Sequence, residues 1–218
     1  MIDLHTHTFL SDGVLVPAEL AQRAAVLGYR VLGITDHVDP GTLRSTFETT
    51  LRSCAALQDQ MSLHIVPGVE LTYVPPALIA ETARNARDLG ARLIIVHGES
   101  IVEPVPNGTN RAAVEADIDL LAHPGVIDRE TVARAAERGI YLEISARAHH
   151  SFGNGHLVAL ARDVGALEYL VVSSDAHALG DLLTGALRQA VCLGAGLTQT
   201  EIGRVEENAE DLWKKVAT

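Results

Sequence analysis

The 218-residue sequence has little cysteine, almost no lysine and no long apolar run. Its two cysteines, Cys54 and Cys192, form no close motif, so they read as separate reduced thiols rather than a disulfide framework. The lysines are confined to Lys214 and Lys215, and the formal net charge is −11. An acidic chain without a basic stripe repels nucleic-acid phosphates, which argues against a long nucleic acid as partner. No stretch approaches the roughly 20 apolar residues that span a bilayer. The opening MIDLHTHTFLSDG lacks the basic-then-apolar pattern of a signal peptide. A cytoplasmic protein with no membrane partner is therefore expected; the oligomeric state is left open. Apolar residues at 47% and charged residues at 21% are ordinary for a globular chain, and this length buries a core without staples. With no linker, low-complexity tract or composition shift, one domain over 1–218 is expected.

What the sequence does contain is a recurring unit. A helical stretch ends at Gly, a few residues pass, and a short apolar run ends in a polar residue: LGYRVLGITDH (27–37), LGARLIIVHGE (89–99), RGIYLEISAR (138–147) and VGALEYLVVSSDAH (164–177). Gly suits the position just past a helix, and Val-, Ile- and Leu-rich runs of this length suit parallel strands buried on both faces. Ile2–Leu4, Leu63–Val69 and Ile118–Ala122 share the strand character, giving seven strands in all. Pro17–Leu27, Ala77–Leu89, Arg129–Arg138 and Gly155–Val164 read as amphipathic helices between them. The segment Glu103–Asn110 reads as a loop, and Thr198 with Glu201 as the capping box of a final helix. Alternating strands and helices imply an α/β fold with a parallel sheet. Periodicity leaves open whether it is a doubly wound sheet or a barrel, but no glycine-rich dinucleotide fingerprint follows the first strand.

The informative residues cluster at one edge. His5 and His7 follow the first strand, Asp36 and His37 the second, Glu70 the third, His97 the fourth, His123 the fifth, and Asp175 and His177 the seventh. Six of the ten histidines lie at the C-terminal ends of strands, where parallel α/β folds build their sites. His5-x-His7 and Asp175-x-His177 each turn two ligand-type side chains to one face, because side chains alternate along a strand. Alone, each motif has a bland reading: SDG at 11–13 as a turn, TDH as a helix cap, Glu70 as a solvated strand end. At the same end of successive strands they point to a metal site, since imidazole and carboxylate are the usual ligands of zinc, iron and manganese. His64 lies on the opposite edge and His156 at a helix start, both read as structural or surface residues. Arg147, just past LEIS, is a candidate clamp for a phosphate. His149 and His150 lie in the loop after the sixth strand, where a solvated pair is the alternative reading.

Taken in order, HTHTFLSDG (5–13), GITDH (33–37), PGVE (67–70), VHGE (96–99), AHPG (122–125) and SSDAH (173–177) resemble the motifs of the PHP (polymerase and histidinol phosphatase) family. The resemblance spans nearly the whole chain and is more specific for fold and metal site than for substrate. It implies a distorted (β/α)7 barrel and three divalent metal ions, usually zinc, iron or manganese. One ion would take His5, His7, Glu70 and Asp175, a second Asp12, His37 and His177, a third Glu70, His97 and His123. Asp12 stands where some members carry His, which bears on metal preference. The length leaves little room for an inserted domain and resembles compact stand-alone phosphatases. The expected activity is hydrolysis of a small phosphate monoester by a metal-bridging hydroxide. Arg147 and Asp175 would act at the phosphate, and His149 or His150 as proton donor to the leaving group. The rivals are a nucleotide phosphatase or short-oligonucleotide nuclease using the same metals, and a non-catalytic barrel. An amidohydrolase of the H-x-H type commonly bridges its metals with a lysine, and the barrel segment has none.

Overall fold

The computed structural model describes residues 1–217. Strands β1 (Ile2–Asp3), β2 (Val31–Ile34), β3 (His37–Val38), β4 (His64–Leu71), β5 (Leu93–His97), β6 (Leu120–Ala122), β7 (Tyr141–Ser145) and β8 (Leu170–Ser173) pair in parallel. The path runs β1-β2-β4-β5-β6-β7-β8, with the two-residue β3 pairing off it to β4. Beyond the ends of β1 and β8, a parallel bridge joins Thr6 to Ala176, with His7 N–H donating to Ala176 O at 2.9 Å and Asp175 N–H to His5 O at 3.0 Å. The sheet thus closes into a distorted seven-stranded barrel, which decides between the two closures that periodicity left open. Among the described residues no helix is long and apolar enough to cross a membrane.

Helices wrap the outside. Those expected from the sequence are α1 (Pro17–Val26), α3 (Pro76–Asp88), α5 (Arg129–Glu137) and α6 (Asn154–Val164), each with Pro, Asp or a tight turn at its start. Three more, α2 (Leu43–Gln58), α4 (Thr109–Glu115) and α7 (Gly185–Gly194), fill stretches where no helix was expected. α2 was legible in principle: Leu43, Phe47, Thr50 and Cys54 fall three to four residues apart and are its buried face. The last helix, α8 (Gln199–Ala217), starts with the expected capping box, Thr198 N–H donating to Glu201 Oε2 at 2.8 Å and Glu201 N–H to Thr198 Oγ1 at 3.3 Å.

Two apolar layers result. The larger lies between barrel and helices and includes Phe47, Ile79, Ile94, Leu121 and Leu142. The smaller fills one end of the barrel with Val66, Leu93, Ile95, Leu120 and Tyr141, and α8 packs Ala209, Leu212 and Val216 against it. Period-two alternation then sets the site. The face of β5 that buries Leu93 and Ile95 next presents His97. The face of β4 that buries Val66 presents Glu70, and that of β7 that buries Tyr141 presents Glu143. β4 runs on to Leu71, so Glu70 belongs to the strand rather than following it. Charged groups therefore sit on an apolar floor in the same barrel.

One glycine permits the close packing of loops beneath the site. Gly125 has φ +62°, and a Cβ there would stand 2.0 Å from the Glu99 carbonyl oxygen. Gly125→Ala combines left-handed backbone with that clash and should cost about 1–3 kcal/mol or more. At roughly 2–4 °C per kcal/mol for a chain of this size, thermal melting should show a drop of several degrees.

Candidate metal centre

The chain delivers its ligand-type side chains to one mouth of the barrel by two means. Along β4, β5 and β7 the pleat aims them inward. At the ends of β6 and β8 the backbone itself turns: His123 has φ +26° and Asp175 φ +51°. Left-handed backbone at a residue other than glycine is unfavourable and persists where the surroundings impose it, commonly at functional sites. Tyr73 (φ +54°) and His149 (φ +73°) lie on loops of the same rim.

Glu70 stands at the middle with no exposure to solvent. Its Oε1 is 3.4 Å from His5 Nε2 and 3.7 Å from His123 Nε2; its Oε2 is 3.5 Å from His7 Nε2 and 2.7 Å from His37 Nδ1. The β3–β4 register pairs His37 with Glu70 and so supplies the last of these. His5 and His7 bring their Nε2 atoms within 3.0 Å of each other, and Asp175 Oδ1 lies 3.7 and 3.2 Å from them. Asp12 Oδ1, on the half-open side, is 3.4 Å from His37 Nε2 and 3.0 Å from His177 Nε2. Ligand atoms within 4.8 Å of one another group as His5, His7 and Asp175; as His7, Asp12, His37 and His177; and as His97, His123 and His150. His5, His123 and Glu143 form a further such group. The nine expected residues thus gather at one mouth of the barrel, but the groups differ from those expected: His7 joins Asp12, His37 and His177, His150 joins His97 and His123, and Glu70 lies between groups rather than within one.

The donor set fits cations. Both oxygens of Glu70, Asp175 Oδ1, Glu143 Oε1 and the Nδ1 atoms of His7 and His123 are buried and make no hydrogen bond. Burying an ionised carboxylate unpaired is prohibitively costly, and so many lone pairs facing one interior point is the arrangement a metal cluster satisfies. The imidazoles are also aimed. His5 Nδ1 is held by Glu143 Oε2 at 2.6 Å, His97 Nδ1 by Gly98 O at 3.0 Å, and His177 Nδ1 by Asp175 O at 2.9 Å, which leaves each Nε2 turned inward. Asp36, buried, is a clamp rather than a ligand. It accepts from Thr8 N–H (2.7 Å), Thr8 Oγ1 (2.8 Å) and Ser11 Oγ (2.8 Å), fixing the 5–13 loop.

Electrostatics follow the geometry. Burial alone would lower His5, but Glu143, Glu70 and Asp175 outweigh it and hold it well above the ordinary imidazole value. His37 is raised despite burial by Glu70, and His97 despite burial by Glu103 and Glu70. His7 and His123 are driven well below it by burial and by the neighbouring imidazoles. Burial would raise Glu70, yet His5 and His37 hold it well below the usual carboxylate range. Burial pushes Asp175 up to about 6.

The other expected residues divide. Arg147, with a side chain 30% exposed, lines the cleft; its Nη1 donates to Asp175 O at 3.0 Å and it also contacts His177 Nδ1. His149 is not brought in: it is exposed, its ring lies against Phe152, and its left-handed backbone points it away from the cleft that His150 lines. The proton-donor role given to His149 therefore has no geometric support. His64 is exposed at the start of β4 and His156 exposed on α6. Sequence reasoning missed Glu143 and Glu103. Glu143 carried a signal, a carboxylate in the middle of the apolar strand YLEIS; Glu103, in a proline-containing loop, carried none.

Comparison with known proteins agrees with this architecture. Residues 3–181 match the family model of the PHP domain. The uncharacterized protein MJ1295 of Methanocaldococcus jannaschii is 44% identical over 202 residues, 92% of each chain. The structure of YwqE from Bacillus subtilis and CpsB from Streptococcus pneumoniae, described as metal-dependent tyrosine phosphatases, superposes with a TM-score of 0.64 at 20% identity, covering 99% of this chain and 95% of that one. Histidinol phosphate phosphatase from Lactococcus lactis, complexed with zinc, L-histidinol and phosphate, gives 0.57 at 16% identity over 97% and 93%.

Two outcomes follow from the charge arrangement. In Glu143→Gln the acceptor that fixes His5 Nδ1 is weakened, so metal affinity should fall about 10–100-fold, read by chelator competition, with the circular dichroism of the barrel unchanged. Because His5, His37 and His97 are raised in the metal-free protein, a cation must displace their protons. Metal uptake at neutral pH should release protons, and apparent affinity should fall as the pH is lowered; titration calorimetry in buffers of different ionisation enthalpy measures both.

Proposed function

The chain belongs to the PHP-domain family, and from that premise we propose that it is a metal-dependent phosphoesterase acting on small phosphate monoesters. One observation carries the reading: a fully buried Glu70 whose two oxygens face different imidazole groups, next to His37 and Asp175, which line an open cleft of about 570 Å³. His5, His7, Glu70 and Asp175 would hold one divalent ion, Asp12, His37 and His177 a second, and His97 and His123 a third. Such ions supply Lewis acidity and hydroxide near neutral pH.

The chain's own groups do the rest. Arg147 sits at the rim with its guanidinium anchored by the Asp175 carbonyl, so it offers its remaining N–H groups to a phosphoryl oxygen entering the cleft. The same bond ties the clamp to the backbone of a ligand, which fixes phosphate position relative to the metals. Glu143 and Asp175 hold His5 and His177 in the orientation that presents Nε2. The apolar floor excludes water from below and strengthens these interactions. The cleft has room for a compact phosphate ester; Tyr73, Val38 and Thr42 also line it and are where a leaving group would meet the protein. The family resemblance and the fold shared with a histidinol phosphate phosphatase favour an alkyl phosphate of that size, with phosphotyrosine and mononucleotides as the comparison substrates.

The test is metal analysis of the purified protein followed by phosphate release from histidinol phosphate, phosphotyrosine and nucleoside monophosphates. Up to three divalent ions per chain and release of inorganic phosphate are expected. His97→Ala should reduce turnover about 10²–10³-fold, the scale on which loss of a single electrostatic stabiliser acts, with the fold intact. Full turnover in that variant, or a metal-replete protein that releases phosphate from no ester, refutes the reading.

A further inference from the structure

Two side chains outside the nine-residue set reach the cluster, one from the loop between β5 and α4, the other from the turn after β7. We propose that His150 and Glu103 complete the third metal subsite, so that one cation is held there by His97, His123, His150 and Glu103. The inference deepens the metal-centre reading given above and rests on it for the presence of a cation.

The geometry is that of a built site. One ring nitrogen from each of His97, His123 and His150 lies within 4.8 Å of the others, and all three residues are buried. His150 Nδ1 is bonded to Ser100 Oγ at 2.6 Å, which turns Nε2 inward, 3.3 Å from Glu103 Oε1. His97 repeats the arrangement, with Nδ1 on Gly98 O and Nε2 3.2 Å from Glu103 Oε2. Each oxygen of one carboxylate thus faces the inward nitrogen of one imidazole. Tyr73 donates to Glu103 Oε2 at 2.9 Å and holds the carboxylate in place. The His123 ring stacks on that of His150 at 4.2 Å and meets His97 edge-on at 4.4 Å.

An imidazole tied to the protein through one nitrogen and presenting the other to a shared point is how a metal ligand is oriented. His150 has this geometry in common with His5, His97 and His177. An ion pair alone would account for Glu103 against His97 and His150, but not for the third buried imidazole, His123, which brings a ring nitrogen within 4.8 Å of theirs. Three imidazoles and one carboxylate form a set suited to zinc, iron or manganese. Glu70 Oε1, 3.7 Å from His123 Nε2, links this subsite to the other two. His150 is thereby a metal-holding residue rather than a proton donor.

The test uses the full chain loaded with zinc, freed of excess metal, and assayed by elemental analysis and chelator competition, with the visible spectrum of the cobalt-substituted protein as a second readout. His150→Ala should lose one metal equivalent, with affinity at that subsite falling by at least about 100-fold, beyond the roughly 10–100-fold typical of an outer-shell change. Glu103→Gln should weaken the same ion and alter the cobalt spectrum. Ser100→Ala keeps the ligand but frees its ring, and should weaken binding roughly 10-fold; it serves in place of His150→Ala if that variant does not fold. His64→Ala, a histidine loss at the far end of the barrel, should keep the full metal content. Unchanged stoichiometry, affinity and cobalt spectrum in His150→Ala, or in both Ser100→Ala and Glu103→Gln, overturns the assignment. So does a wild-type protein that binds only two ions. None of these readouts depends on phosphate release, so failure of the phosphoesterase reading would show separately, as a metal-replete protein without activity.

Discussion

A carboxylate with no access to water and no hydrogen bond sits at the centre of this molecule, and the barrel mouth is organised around the need to neutralise it. Burying an unpaired carboxylate costs far more than the roughly 5–15 kcal/mol of net stability a domain possesses. Glu70 is tolerated because four imidazoles come within 2.7–3.7 Å of it: His5 and His7 from the loop after β1, His37 from β3 and His123 from the end of β6. Two of those imidazoles are oriented in turn, His5 by Glu143 beneath it and His37 by Thr72 beside it, 2.6 Å from its Nδ1. The strained backbone at His123 and Asp175 belongs to the same account: two unfavourable φ angles are offset by placing their side chains at the shared point.

The apolar floor is part of the electrostatics. Leu93, Ile95, Leu120 and Tyr141 fill the barrel below the ligands, and α8 seals that end with Leu212. The low dielectric this creates drives His7 and His123 toward the neutral form and Asp175 toward protonation. Neutral imidazole is the form that binds a metal, while a carboxylate poised near neutrality gives up its proton readily to an incoming cation. Packing and chemistry are therefore one design: the same alternation along β4 and β5 that buries Val66 and Ile95 raises Glu70 and His97 above them.

The sequence disclosed much of this because its signals are local. Period-two alternation, a histidine or carboxylate at each strand end, and the order of the motifs suffice for the seven strands and the edge where these side chains gather; Asp12, at no strand end, entered only through the family resemblance. Where the reading stopped, long-range geometry had taken over. His149 and His150 are adjacent in sequence, and only the turn 150–153 and the Ser100 hydroxyl decide that the second enters the cleft. Glu103 is one acid in a loop, and its meeting with His97 and Tyr73 depends on how that loop folds back. β3 is two residues long, too short for any periodic signal, yet it fixes the register that places His37 opposite Glu70. Barrel closure likewise rests on a bridge between Thr6 and Ala176, residues far apart in the chain whose pairing no local periodicity signals.

A ligand cluster set in the barrel strands and the turns at their ends and a cleft wall set on the outer loops have different tolerances to change. Glu70 and His97 are held by the strand ladders and a close-packed floor, so altering either disturbs the whole network. Tyr73, Ile101, Val102 and Phe152 are exposed on loops of the rim, where substitutions cost the fold little. The fold is shared with proteins described as phosphatases of different substrates, as happens where differing sites are carried by one architecture. Glu103 crosses that division, being a loop residue that reaches the cluster. Through it the shape of the outer wall and the positions of His97 and His150 are coupled, so a change in the loop acts on both.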